Sequence, residues 1–495
     1  MITSSIDLFK QLYNRLQQYI IINKVDQIFI RICTENIIRY VVSKFIISHL
    51  INMIDKSINL FKQIYDNFNI TKVDSIIVGA GIVGTSLAYQ ISSYPNQSIL
   101  LIDKETVGSG ASGLSAGTIY SPFDQIPEIN YEKSNDYIKS YLSIGTINII
   151  KSINRKIDCN FSQPGSITLG TDKTKKYISD LVNNGIQQGH NIKLLESKNL
   201  YAPSSAQVNP EKLVNAFAKL AMDNGTTILN GTYIKKIKYN KDNYRITLNN
   251  EKDYLCKNLI LTNGTGINQV TNMIGIHVPI IPVKGTIWNA EISDYQNQFP
   301  NIIFSSNSYF SWGKYPTLNI TNNIPHNCTH DKNGNIINHR YINLKRFWES
   351  IQYKDDLDFE HFYGKSYKDS NNITNVMFGF NRQIAKHDND YFIDEHLVHK
   401  CFNKIKKIFP ILEHTQINNY WCGIMPVSLH DKPIVGNFNC FGYPNMWIAN
   451  GFGAHGIAMA PMTTKLLANK IIGIENQDTD IILKKFNIDD CSLIK

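Results

Sequence analysis

Apolar and polar positions change their period at residue 79. Residues 75–78 form a short apolar run, residues 83–91 carry apolar side chains at helical spacing, and residues 98–102 form a second apolar run that stops at Asp103. A strand, a helix and a second strand are the elements this pattern predicts. Between the first two stand Gly79, Gly81 and Gly84, a G-x-G-x-x-G turn. The first glycine permits the tight turn out of the strand, the second lets backbone N–H groups approach a pyrophosphate, and the third lets helix and strand pack closely. The phosphates then sit on a helix N-terminus. Asp103 lies at the roughly 20-residue distance where a carboxylate hydrogen-bonds a ribose hydroxyl. The whole unit predicts a dinucleotide-binding segment.

The first seventy residues follow a different pattern, with no Gly and no Pro and with Ile, Leu, Phe and Tyr recurring among Lys, Arg, Asn and Gln. They predict helix. Their most apolar span, residues 45–54, is interrupted by Ser48, His49 and Asn52. It falls short of the roughly 18 residues a transmembrane helix needs, so no membrane crossing is expected. The stretch from Lys10 to Lys24 is basic and amphipathic like a mitochondrial presequence, whereas Asp7, Asp26, Glu35, Asp55 and Asp66 argue against a long one. A helical extension packed on the domain or a partner, a targeting segment and a membrane-surface helix all remain open.

Downstream, Asn209-Pro210 reads as an N-cap and first-turn proline before an amphipathic helix over residues 211–224. Strands follow at 227–229, 233–237, 244–248 and 258–261, the last meeting Thr262-Asn263-Gly264-Thr265-Gly266. Near the C-terminus an apolar run ends at Asn450, and Gly451, Gly453 and Gly456 turn the chain into a helix over about 457–472.

Length and composition narrow the class. At 495 residues two domains are expected, and 43% apolar with 18% charged residues is ordinary for a globular protein. The net charge of +9 is spread along the chain without the basic block of a nucleic-acid arm, so no nucleic acid is expected. The 8 cysteines form no C-x-x-C pair and no metal-ligand spacing. They read as reduced thiols of an intracellular protein, cytoplasmic or mitochondrial.

After Asp103 come Lys104 and then GSGASGLSAG, residues 108–117, a stretch too small to fill a core. Something approaches its backbone closely. Here the chain resembles the FAD-dependent oxidoreductases of the D-amino-acid oxidase superfamily, which includes glycine oxidase, sarcosine oxidase and D-amino-acid dehydrogenase. The resemblance implies that Lys104, Ser109, Gly110, Ala111 and Ser112 contact FAD, that Gly117 brings the chain under the flavin, that Gly264 sits near the nucleotide, and that Gly451, Gly453 and Gly456 contact the cofactor. Residues 279–288 are similar to the stretch that leads into the substrate domain, and residues 421–461 to the closing FAD motif. His455 lies in that last turn, as a polar neighbour of the flavin or as a residue that merely caps the turn.

The implied fold is α/β: a Rossmann-like FAD-binding domain interleaved with a mixed-sheet α+β substrate domain. Residues 72–121, 200–284 and 415–475 are assigned to the first, residues 122–199 and 285–414 to the second, with a helical extension over 1–71 and a tail over 476–495. The implied reaction moves a hydride from a C–H beside an amine nitrogen to flavin N5, with a small amine or amino acid as substrate and oxygen or another acceptor receiving the electrons. One departure stands out, because Met425 occupies the position of an arginine that holds the substrate carboxylate in relatives. Arg382, Tyr363 and Lys284 are the substitute candidates for the pocket, with Arg382, Tyr363 and His455 expected in the catalytic set. Against the enzyme stands a flavin-binding assembly or scaffold protein of the same fold with little turnover. Oxidation of a larger amine, such as a modified nucleoside, is a third reading.

Overall fold

The computed structural model describes residues 70–121, 135–170, 175–196, 198–292, 303–306, 329–330, 336–337, 363–369, 371, 373–428 and 432–486. The expected helical extension falls outside the described residues up to Asn69, and of the expected tail over 476–495 the first part forms a helix, Gln477–Lys485, packed on the core through Ile482, Leu483 and Phe486, while the residues after Phe486 lie outside the described residues.

Two eight-stranded sheets organise these residues. The first runs Ile434–Phe438, Tyr443–Asn450, Asp253–Leu261, Thr71–Val78, Ile99–Ile102, Thr227–Leu229, and the antiparallel strands Ile234–Asn240 and Asn243–Leu248 branch from Asp253–Leu261. Its centre is parallel, with Ser75–Val78 registered between Asn258–Leu261 and residues 99–102. Parallel strands are covered on both faces, which explains why their sequences are continuously apolar. Successive side chains enter opposite cores: Ile77, Leu101, Ile260 and Ala449 face the helices, while Ile76, Leu100, Leu259 and Ile448 meet Ile234, Tyr244 and Ile246.

Helix Ile82–Ser92 packs between Pro210–Asp223 and Gly456–Ile472. Ser86 and Thr464 hydrogen-bond at 3.0 Å across one of these contacts. The Asn209 side chain accepts from the Lys212 amide at 3.0 Å and Pro210 opens the helix, as the sequence pattern expects.

The second sheet runs Ile417–Ser428, Ile280–Glu291, Thr374–Ile384, Tyr363–Lys368, Ile303–Ser306, Ser166–Leu169, Asn199–Ala202, Lys193–Leu195. Ile417–Ser428, grouped above with the nucleotide-binding pieces, is the edge strand of this sheet and pairs with Ile280–Glu291 almost along its whole length. Its apolar alternation suits either sheet, and the long partner decides. On the back face Trp288 packs tilted against Phe378 and edge-on against Phe402 at ring distances of 5.0 and 4.9 Å, covered by helix Glu395–Ile408. The front face, one residue out of phase, is left for Gly285, Ile287, Gly379, Gly423 and Met425.

Candidate active site

A cavity of about 540 Å³ joins the carboxyl ends of the parallel strands to the front of the second sheet. Such crevices are where open α/β sheets bind ligands.

The G-x-G-x-x-G turn forms one end. Gly79 has φ +103, and a Cβ there would stand 2.6 Å from Asn263 Cα, so only glycine fits between the strand and the Thr262-Asn263 turn. Gly84 carries no lining surface; its ideal Cβ would lie 1.8 Å from the Gly79 carbonyl oxygen, which makes it the packing glycine of the set. Gly81 faces the cavity beside Ser112 Oγ. The Asp103 carboxylate lines the cavity and also braces the turn, accepting from the Ala80 amide at 2.6 Å and the Glu105 amide at 2.8 Å.

The second glycine stretch folds back on the first. The Gly108 amide donates to Ala80 O at 3.0 Å, and Ser112 Oγ accepts from the Ile82 amide at 2.9 Å, satisfying a donor at the helix N-terminus. Ser109, Gly110, Ala111, Ser112 and Gly117 all line the cavity, and a Cβ at Gly110 would meet nothing within 4 Å. At Gly117 the demand for glycine comes from a chain crossing, since a Cβ would lie 2.3 Å from Val208 O.

Gly264, Gly453 and Gly456 complete the wall, and the Asn450 side chain donates to Gly264 O at 3.0 Å, linking two turns nearly 190 residues apart in sequence. Gly451, at φ +75, is outside the lining; its Cβ position is 3.0 Å from Ser428 Cβ, a packing contact. His455 is likewise outside the lining and stands at the N-cap of Gly456–Ile472, its amide donating to Phe452 O at 3.0 Å.

At the opposite end the second sheet presents its glycines. Gly285 pairs with Gly423, Ile287 with Trp421, and Val283 with Met425. Met425 Cε lies 3.2 Å from the Cβ position of Gly285, so the methionine lies across a trough that two cross-strand glycines open. Trp421 Nε1 donates to Leu114 O at 2.9 Å, fixing the second glycine stretch to this edge strand. Tyr363 lines the cavity with its ring over Gly379. Arg382 is registered opposite Gly285 on the neighbouring strand, and its side chain is outside those described.

Lys284 points away from the trough. It is 5% exposed, and its ammonium donates to Phe392 O at 2.7 Å and to Asp390 at 3.3 Å. That pairing removes it as a substrate-facing cation: Gly285 is in the cavity lining and Lys284 is not. Burial raises the cost of the Asp390 carboxylate, but the Lys386 amide and the Lys284 ammonium together hold its pKa below the ordinary carboxylate range. The Cys422 thiol is pushed up by burial. No group of three metal-ligating side chains occurs among the described residues.

Gln269, Met273, Asp388 and Tyr391 also line the cavity and carry no sequence signal of their own, since they come from a short helix, a turn and a loop without glycine or motif. An extended dinucleotide fits this enclosure: widely separated glycine turns converge on it, the amides of a helix N-terminus open on it, and the carboxylate expected at a ribose stands at the end opposite the second sheet.

The family model described as FAD dependent oxidoreductase matches residues 74–318 and 334–470. Human mitochondrial dimethylglycine dehydrogenase is 21% identical over 81% of this chain and 42% of the relative. A glycerol 3-phosphate dehydrogenase of Caloramator mitchellensis is 27% identical over 43% of this chain and 46% of the relative. The chain therefore spans less than half the length of these two. Among solved structures, L-proline dehydrogenase from P. horikoshii superposes with a TM-score of 0.63 at 16% identity, covering 84% of this chain and 97% of that one. That similarity concerns the fold.

Proposed function

The chain belongs to the FAD-dependent oxidoreductase family, and from that premise we propose that it oxidises a small amine or amino acid at the carbon beside the nitrogen. Bound FAD supplies the hydride acceptor, and oxygen or another acceptor takes the electrons onward. The chain's own residues bind, orient and exclude water. With FAD bound, Gly81, the first turn of helix Ile82–Ser92 after the Ile82 amide, and residues 110–112 would hold the phosphates by backbone amides. The N-terminus of Gly456–Ile472, with Gly456 and Ile457 in the lining, favours negative charge at the other end.

The trough formed by Gly285 and Gly423, walled by Ile287, Tyr363 and Met425, holds the substrate carbon at near-attack distance in a largely apolar enclosure. An apolar wall also favours the neutral amine, which carries the electron pair the reaction needs. Arg382, registered beside Gly285, takes the substrate carboxylate in place of the cation missing at Met425. His455 serves the turn. Cys159, Cys256, Cys401 and Cys422 are buried thiols, in keeping with an intracellular site, cytoplasmic or mitochondrial. Among the described residues no helix is long and apolar enough to cross a membrane.

The observation that carries this reading is the convergence of the glycine turns and the second sheet's front face on one cavity. Its test is anaerobic addition of N-methylated amino acids, free amino acids and glycerol 3-phosphate to the yellow protein. Bleaching by an amine, with Arg382→Met raising KM for carboxylated amines about 100-fold, is expected. Bleaching by the glycerol compound alone would overturn the amine assignment. Stoichiometric FAD with no turnover, together with a stable partner complex, would favour the scaffold reading instead.

A further inference from the structure

The loop over residues 385–394 joins the substrate-facing strand Thr374–Ile384 to helix Glu395–Ile408, yet its tip reaches the nucleotide-binding side. We propose that this loop is a clasp that retains the cofactor, with Asp388 as the positioning residue that closes it over the adenosine end. The proposal rests on the placement of FAD given above and goes beyond it.

Two sets of contacts define the clasp. Its base is tied to strand Ile280–Glu291: the Ala385 amide donates to Pro282 O at 2.9 Å, and Lys284 donates to Phe392 O and to Asp390, whose other oxygen accepts from the Lys386 amide at 3.0 Å. The Lys284 and Asp390 side chains are 6% and 11% exposed, so the base is a buried, neutralised pair that resists opening. The tip is different. Asp388 accepts from Gln269 Nε2 at 2.7 Å and stands 3.5 Å from the Lys104 ammonium, with side-chain exposures of 27% for Asp388 and 41% for Lys104. Lys104 directly follows Asp103, the carboxylate expected at the ribose.

Lys104, Gln269 and Asp388 all line the cavity, so the bridge spans it at its outer end. Tyr391, in the same loop, adds an aromatic wall that is 44% exposed. A ligand lying under this bridge leaves only when the bridge opens. A firm base with a weak tip suits that task, because a half-exposed ion pair and one hydrogen bond break readily and re-form. Salt weakens such a tip and leaves the buried base nearly untouched.

The test follows FAD release from the holoprotein by the rise of free-flavin fluorescence after dilution into flavin-free buffer. Asp388→Ala is expected to release FAD about five- to tenfold faster than wild type, the loss set by one charge-assisted hydrogen bond. Raising salt should speed release from wild type and change little in Asp388→Asn. Lys104→Met supplies the second arm, and the double variant Lys104→Met/Asp388→Asn should release FAD no faster than the quicker single variant, because both remove the same contact. Equal release from wild type and Asp388→Ala, or strictly additive effects in the double variant, overturns the clasp while leaving the flavin site standing. Wild-type protein that is colourless and takes up no FAD would remove the flavin placement, and the clasp with it.

Discussion

Lys365 offers the sharpest test of how the two sheets meet. It lies in strand Tyr363–Lys368 on the same face as Tyr363, is 6% exposed, and its ammonium has the Val208 carbonyl at 3.3 Å and the Tyr367 ring at 5.5 Å. Val208 is the residue that crosses Gly117, so the lysine is buried against the crossover behind the cavity wall. Burial pushes its pKa from 10.5 down to about 7. The ordinary value belongs to the unfolded chain. Between pH 7 and 10.5 the unfolded state therefore binds the extra proton, and stability rises with pH through this window. The cost of burying the ammonium is absent above the unfolded pKa, grows as pH falls, and is complete below about 7. At 1.36 kcal/mol per pKa unit the full cost is about 5 kcal/mol, of which about 2 kcal/mol is recovered between pH 7 and pH 9.

Lys365→Met keeps the stem and removes the charge. It should stabilise the protein most at low pH and least at high pH, so the melting temperatures of variant and wild type, followed by circular dichroism with FAD in excess, converge as pH rises. For a unit of this size about 2 kcal/mol corresponds to about 2 °C, measurable as the change in the difference between pH 7 and pH 9. Parallel melting curves across that range would refute the argument. A wild type that loses ground to the variant as pH rises would show a lysine held charged by a partner.

Two further substitutions test the nucleotide end. Gly84→Ala places Cβ 1.8 Å from a main-chain carbonyl that cannot move without breaking the turn, so folded yellow protein should be lost, and a variant with full FAD absorbance would refute the packing role. Asp103→Asn leaves one acceptor oxygen for the Ala80 and Glu105 amides, so FAD affinity measured by fluorescence quenching should fall about tenfold, and an unchanged Kd would separate the carboxylate from the site.

Glycine made much of this site legible in the sequence, because its requirement is local. Gly79 and Gly453 need positive φ, Gly84 needs an absent Cβ, and these needs leave a residue type at a fixed spacing. Asn209-Pro210 announces its helix for the same reason. What the sequence could not show is set by partners far away. Gln269 and Asp388 meet across 119 positions, and neither differs in its neighbourhood from an ordinary surface residue. Strand Ile417–Ser428 alternates as a strand of either sheet would, and only pairing with Ile280–Glu291 assigns it.

The same pairing explains Met425. With Gly285 and Gly423 side by side, the front face has a gap that a long flexible thioether crosses without strain. An arginine there would have to bury its guanidinium over that gap with a partner of its own. Arg382 is one strand further from the edge and in register with Gly285, so its backbone stands beside the trough. The KM of Arg382→Met for carboxylated against uncharged amines distinguishes a charge relocated across two strands from a lost carboxylate-binding function: a rise confined to carboxylated amines is the expected result, and equal KM values for both classes in variant and wild type would refute the relocation.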